Sequence, residues 1–312
     1  MSRKWLASIV LVGALLSVPA TAGARSWHAP APSLTVGGAV ATPGTYSLTQ
    51  LQALETTFTV SHSSWWWGSR TETDQGVLLE TLVNTAGPTL PTGAKNGLLR
   101  VTVQVSGEWG RSVTFALGEL DPSFGNHPAY LELAQNGRKL PAPELVVPGD
   151  TNGVRSVDAV SRITVAVQNP AATTSTVTGA ITIEDGSHTE VLTASQLAAL
   201  PQHTLDVTFE AGTAPQSHVE TGPTLQAVLR AARIRTSLDT WVAAVGSDGY
   251  VATVTPAEAW VGARPLLISL SEDGTSQDTP RLVTDGDVKG GRYVSGVVDL
   301  VIGQSPLPAW PW

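Results

Sequence analysis

Three adjacent tryptophans, Trp65-Trp66-Trp67, are the most unusual reactive surface the sequence offers, bracketed by Ser63-Ser64 and Gly68-Ser69, with His62 and Arg70 close by. Neighbouring side chains on a strand or helix do not share one direction, so at least one ring must face solvent, a ligand or another part of the chain. An indole brings a large apolar area and one N–H donor, which is the chemistry of a binding anchor. His62, Trp65, Trp66, Trp67 and Arg70 are therefore the candidate ligand- or partner-binding residues, and packing between two parts of the chain is the competing reading. No catalytic motif accompanies them. The six histidines, His28, His62, His127, His188, His203 and His218, include no His-x-x-x-His pair, so a zinc motif is absent. Without cysteine there is no thiolate nucleophile, no disulfide and no Cys-ligated metal. No Gly-x-Ser-x-Gly elbow marks a hydrolase. Gly149-Asp150-Thr151-Asn152-Gly153 and Asp285-Gly286-Asp287 look superficially like calcium loops. They lack the alternating oxygen ligands and closing glutamate of such loops, and read as turns.

The N-terminus has the parts of a secretory signal over residues 1–24. Arg3 and Lys4 precede an apolar run from Trp5 to Val18, and small-residue sites follow at Ala20-Thr21-Ala22 and Ala22-Gly23-Ala24. The run is shorter than the roughly 20 residues of a spanning helix, so a cleaved signal is expected rather than a membrane anchor. The expected location is exported, periplasmic or secreted, with no membrane span in the mature form. Formal charge is −8, and −8 − 2 = −10 once Arg3 and Lys4 are removed. An acidic chain offers no electrostatic footprint for nucleic acid.

Behind the signal the sequence repeats itself. Val36-Gly37-Gly38-Ala39-Val40 is matched by Val177-Thr178-Gly179-Ala180-Ile181, and Leu48 to Leu54 by Leu192 to Leu200. Gly76 to Val83 is matched by Gly222 to Leu229, and Val105-Ser106-Gly107-Glu108-Trp109 resembles Gly246-Ser247-Asp248-Gly249-Tyr250. Leu145 to Asp150 is matched by Leu282 to Asp287, and Arg155 by Arg292. Such colinear blocks predict a tandem duplication with modules at residues 34–167 and 177–303. A polar linker is expected over 168–176 and a Pro/Trp tail over 304–312.

Each copy calls for the same elements. Leu34-Thr35-Val36 and Arg162 to Val167 alternate like half-buried strands, while Leu99 to Val105 and Trp241 to Val245 read as buried central strands. Ser47 is placed to cap a short helix over Leu48 to Leu54. Leu78, Leu79, Leu82, Val83 and Ala86 fall at helical spacing and stop at Gly87-Pro88. Leu225, Val228, Leu229 and Ala232 repeat that stripe, so both are expected to pack in cores. The fold class is α+β and β-rich.

The order of blocks resembles the molybdopterin-binding domain of the sulfite-oxidase-like oxidoreductases. The resemblance rests on Leu34-Thr35-Val36-Gly37-Gly38, Tyr46 to Leu51, Gly76 to Leu82, Asn136-Gly137 with Leu140, Leu145 to Asp150, and Gly153-Val154-Arg155 leading to Ile163. It implies a duplicated fold of that type, with Arg155 in the position that tends to hold the pterin phosphate. It also implies a molybdenum-ligating cysteine just after the strand that follows the first helix. Phe58 to Ser64 and Leu205 to Ala211 occupy that place, and neither contains one. A hydroxyl does not donate charge to a metal as a thiolate does. Ser156 and Val157 stand where the family usually has a basic residue and a tryptophan. The expectation is an exported, non-catalytic protein that binds a small molecule or an envelope partner, with no cofactor. The alternatives are an oxidoreductase that keeps molybdopterin without the cysteine, and a structural or assembly protein of the cell envelope.

Overall fold

Strand periodicity and turn chemistry build the first half. In the computed structural model its elements are β1 (Ser33–Gly38), β2 (Gly44–Ser47), α1 (Leu48–Gln52), β3 (Thr56–Ser64), β4 (Gly68–Leu78), α2 (Leu79–Ala86), β5 (Val101–Gly107), β6 (Ser112–Ala116), α3 (Leu117–Leu120), β7 (Tyr130–Gln135), β8 (Arg138–Val146) and β9 (Val160–Val167). The second half has β10 (Ile181–Glu184), β11 (Thr189–Leu192), α4 (Ala194–Ala199), β12 (Gln202–Ala211), β13 (Ala214–Pro223), α5 (Leu225–Ala231), β14 (Thr240–Gly246), β15 (Val251–Val254), α6 (Pro256–Trp260), β16 (Leu266–Glu272), β17 (Thr275–Thr284) and β18 (Val297–Gln304). The structure describes residues 33–64, 68–108, 110–171, 178–212 and 214–306, without the side chains of 62–64 and 68–70. The segment expected as a signal and most of the expected tail lie outside these residues. Among the described residues no helix is long and apolar enough to cross a membrane.

Each half pairs one five-stranded with one four-stranded sheet. The five-stranded orders are β2-β1-β9-β5-β6 and β11-β10-β18-β14-β15, and the four-stranded orders are β3-β4-β7-β8 and β12-β13-β16-β17. The two halves thus share one strand order. In both, the five-stranded sheet is antiparallel except where β1 meets β9 and β10 meets β18. Both β7–β8 and β16–β17 turn through a residue pair with positive φ, Asn136-Gly137 and Asp273-Gly274, the chemistry of a tight hairpin turn.

Local signals set the helices. Ser47 accepts from the Gln50 amide while the Gln50 side chain accepts from the Ser47 amide, and Thr193 with Gln196 repeats this capping box. Helix α1 is shorter than expected, ending at Gln52. Leu78 ends strand β4 instead of opening α2, which stops at left-handed Gly87 as its sequence predicts. Leu99 lies in a 3-10 turn, Gly97–Arg100, so β5 starts at Val101. Gly107 and Gly246 both mark the strand bulge against β9 and β18, two residues later in the first block than the sequence match sets them.

Two main cores result. One gathers Leu34, Leu51, Leu82, Val103, Phe115, Leu131 and Ile163, and the other Ile183, Leu197, Val228, Val242, Ile268 and Leu300. Leu99 packs into the second core, while Leu238 packs against the first. The halves therefore lock through exchanged side chains. The polar stretch expected as a linker is also tied down at its start. The Gln168 amide donates to the Arg100 carbonyl at 2.8 Å, and Arg100 Nη1 donates to Asn169 Oδ1 at 2.6 Å.

Two alanines hold left-handed backbone where the other half uses better-suited residues. Ala159 has φ 48° opposite Gly296 at 61°, and Ala263 has φ 52° opposite Asn126 at 48°. A Cβ disfavours this region, and Gly or Asn tolerates it. Ala159→Gly and Ala263→Asn are each expected to raise stability by about 1 kcal/mol, read as a higher urea midpoint at unchanged m-value.

Candidate functional site

The turn after β8 and the short helix α3 bring oppositely charged side chains together in the interior. Arg155, which the sequence singles out, is fully buried. Its Nε and Nη2 donate to the two oxygens of Asp150 at 2.8 and 2.5 Å, and Nη1 donates to Glu119 Oε1 at 2.7 Å. Its guanidinium carbon lies 4.9 Å from the centre of the Phe115 ring. Burial opposes the charge of Arg155, but Glu119 and Asp150 outweigh it and raise its pKa further. The segment Gly149 to Gly153 is therefore a turn that presents a carboxylate to an arginine, as its composition implies.

The second half repeats the arrangement. Arg292 donates through Nε and Nη2 to Asp287 at 2.9 and 2.5 Å, and through Nη1 to Glu258 Oε2 at 2.6 Å. The two clusters adjoin. The Thr151 amide donates to the Val261 carbonyl at 2.9 Å, and the Val288 amide donates to the Phe124 carbonyl at 2.7 Å. These bonds are reciprocal, because Thr151 follows Asp150 as Val288 follows Asp287. A Cβ on Gly118 would strike Arg292, and one on Gly262 would strike His127 and Arg155, so the glycines allow this approach.

The clusters differ at one position. His127-Pro128 in the first half stands where the second has Arg264-Pro265. Arg264 Nη2 lies 3.0 Å from Asp287 Oδ1, and its Nη1 donates to the Gly125 carbonyl at 2.6 Å. His127 sits 3.5 Å from both Glu119 Oε1 and Asp150 Oδ1. Burial pushes its pKa down to about 3, helped by Arg155, Arg264 and Arg292. Glu119 is pushed up to about 8 by burial, with Arg155 opposing and Glu258 adding to the rise. With His127 neutral, three guanidinium groups (Arg155, Arg264, Arg292) face four carboxyls (Asp150, Glu119, Glu258, Asp287), so one bound proton brings the seam to neutrality. Glu119 Oε2, buried with no hydrogen-bond partner, is available to carry it.

A cavity of about 200 Å³ adjoins the first cluster, lined by Val60, Ser61, Val146, Val147, Pro148, Asp150, Thr151, Asn152, Gly153 and Ser156. Ser61 lies on β3, next to His62. His62 and Arg70 are register partners in the β3–β4 hairpin, whose pairing reaches Ser64 opposite Gly68. Their side chains, and all of Trp65, Trp66 and Trp67, lie outside the described residues. Among the described residues no group of three His, Cys, Asp or Glu is placed to hold a metal ion. Glu119 and His127 have no site signal in the sequence, and Asp150 reads there only as part of a turn and of a repeated block. The matched pairs Asp150/Asp287 and Arg155/Arg292 were the available signal, and they point to two of the three charge types.

No known protein family matches the sequence, and no curated protein is significantly similar. Among solved structures, the chain is similar to the sulfane dehydrogenase SoxCD from Paracoccus pantotrophus at 16% identity and a TM-score of 0.34. The match covers 82% of this chain and 63% of that one, so the chain spans under two thirds of the neighbour's length. A superposition this loose carries no argument about function.

Proposed function

We propose that this chain is an exported, non-catalytic binding protein, built on two copies of a molybdopterin-binding-type module, that holds a small polar molecule in the first-half cavity. The commitment of Arg155 carries this reading. All three of its donor nitrogens are taken by Asp150 and Glu119, and none is exposed. A pterin phosphate in the adjoining cavity would meet the Asp150 carboxylate before any free cation. At about 200 Å³ the cavity also falls below the roughly 300–1,000 Å³ of sites for larger ligands. These residues do not suit a pterin cofactor, and no redox step is assigned to them. Ser61, Asn152 and Ser156 instead offer hydroxyl and amide groups beside an apolar wall of Val60, Val146 and Val147. Such a lining suits a small hydroxylated or zwitterionic molecule. His62, Trp65, Trp66, Trp67 and Arg70 follow Ser61 along the chain and are proposed to belong to the same site.

The test has two arms. Protein exported by a host that makes molybdopterin is expected to contain no molybdenum, and stoichiometric metal with pterin absorbance would overturn the reading. In thermal-shift titrations with free amino acids and small polyols, at least one compound is expected to raise the midpoint. Ser61→Trp should fill the cavity and remove that shift while leaving the far-ultraviolet circular dichroism unchanged. No shift with any compound, or a shift that survives Ser61→Trp, would reject the site.

A further inference from the structure

A second and larger cavity, about 540 Å³, lies in the second half between α5, the end of α6 and the start of β16. Helix α5 turns Leu225, Val228 and Leu229 into the core. Gln226 and Arg230, one helical turn apart, lie on another face and line the cavity. Helix α6 is held by Glu258, bonded to Arg292 in the seam, and it ends at Trp260 on the cavity wall. Trp260 is 48% exposed, the highest value among the exposed large apolar side chains of the described residues, and the one aromatic there. The Arg230 guanidinium has no ion pair or hydrogen bond among the described residues. A half-bare indole and a cation with no partner among the described residues therefore share one concave surface, on a chain of net charge −8.

The corresponding place in the first half has the opposite character. Aligning the starts of the matched helices sets Glu80 against Gln226, Asn84 against Arg230 and Asp121 against Trp260. There Asn84 Nδ2 donates to Glu80 Oε1 at 2.9 Å, and burial and Asp121 raise the Glu80 pKa. That surface carries carboxylates that repel anions, and Asp121 stands there in place of the Trp260 ring. The shared scaffold does not require the aromatic and cationic character of the second-half cavity.

We propose that this cavity binds a small aromatic carboxylate. The ring lies on Trp260 against Pro265 and Leu266, where aromatic stacking adds to burial. The carboxylate pairs with Arg230, whose planar fork matches two oxygens at once. Gln226 and Thr236 supply further donors at the rim. The volume lies within the range of small-molecule sites, and the site is separate from the first-half cavity.

Isothermal titration of the full chain with benzoate, cinnamate and indole-3-acetate tests this. At least one acid is expected to bind saturably, with its uncharged amide at least tenfold weaker and inorganic phosphate giving no binding. Arg230→Gln and Trp260→Ala each change an exposed side chain and are expected to weaken the acid at least tenfold. Ser61→Trp should bind it normally, which separates this site from the first. Absence of binding by all three acids would overturn the proposal. So would equal binding of acid and amide, or normal binding by either Arg230→Gln or Trp260→Ala.

Discussion

Replacing Arg292 with Met is expected to cost about 3–5 kcal/mol of stability, the cost of removing one partner from a buried ion pair. The guanidinium is completely enclosed and each of its three nitrogens donates to a carboxylate. Asp287 and Glu258 would be left without their nearest cation, although Arg264 still reaches Asp287. The loss comes mainly from stranded charge. The triple variant Arg292→Met, Asp287→Asn, Glu258→Gln should therefore recover part of it in urea unfolding. Arg155→Met should behave alike, because its contacts repeat those of Arg292. A loss below about 1 kcal/mol for both single variants would place them in the range of surface pairs and refute a structural role. The two arginines should also couple in a double-mutant cycle, since their clusters touch.

Stability is expected to fall as pH rises from about 6.5 to 8, and Glu132→Gln should roughly halve that slope. Glu132 on β7 is almost wholly buried. Its pKa is pushed up to about 8 by burial and by Asp74, which lies on neighbouring β4. Glu119 is also raised to about 8. Between the ordinary carboxyl value of 4.5 and about 8, the folded chain holds protons that the unfolded chain has released. Stability therefore declines with pH through that window, by up to about 1.4 kcal/mol per pH unit for each group. His127 acts oppositely. From about pH 3 to 6.5 its folded form lacks a proton that the unfolded form carries, so its contribution grows as pH rises. The decline is unopposed by His127 only above 6.5. Urea midpoints between pH 6 and 9 measure it, and a Glu132→Gln slope equal to wild type would disprove the assignment.

The second half explains why Glu132 needs its proton. There Ser269 Oγ donates to Glu220 at 2.6 Å, and Arg281 donates to the other Glu220 oxygen at 3.0 Å. The matching first-half residues are Asp74, Glu132 and Glu144. A proton balances charge where the other half uses an arginine.

Short-range chemistry was the legible part of this fold. Ser47, the leucine stripe that stops at Gly87, and the alternation of β1 and β9 each depend on neighbours a few residues away. The repeated blocks carried the shared strand order, because matched apolar positions such as Leu51 and Leu197, or Leu82 and Val228, face the two cores. The seam was not legible. Glu119 and Arg155 are separated by 36 positions, and charged residues ordinarily lie at the surface. Nothing in their spacing marks them as buried partners. In the sequence His127 is only a histidine without a metal-binding neighbour, since its place depends on Asp150 and Glu119 arriving from separate elements. Trp260 is inconspicuous in the sequence beside Trp65 to Trp67, because its exposure follows from how α6 is pinned at Glu258.

The reciprocal bonds from Thr151 to Val261 and from Val288 to Phe124 have a consequence for how this protein can change. A two-fold contact between identical subunits presents the same patch twice, so every substitution is felt on both sides. Here the two faces of the contact are encoded separately. A histidine can replace an arginine at one of them while the other keeps its full complement of charge. The same freedom lets one half keep Glu80 and Asp121 while the other carries Arg230 and Trp260. A single covalent chain thus retains the geometry of a symmetric pair and is released from its obligation to be symmetric.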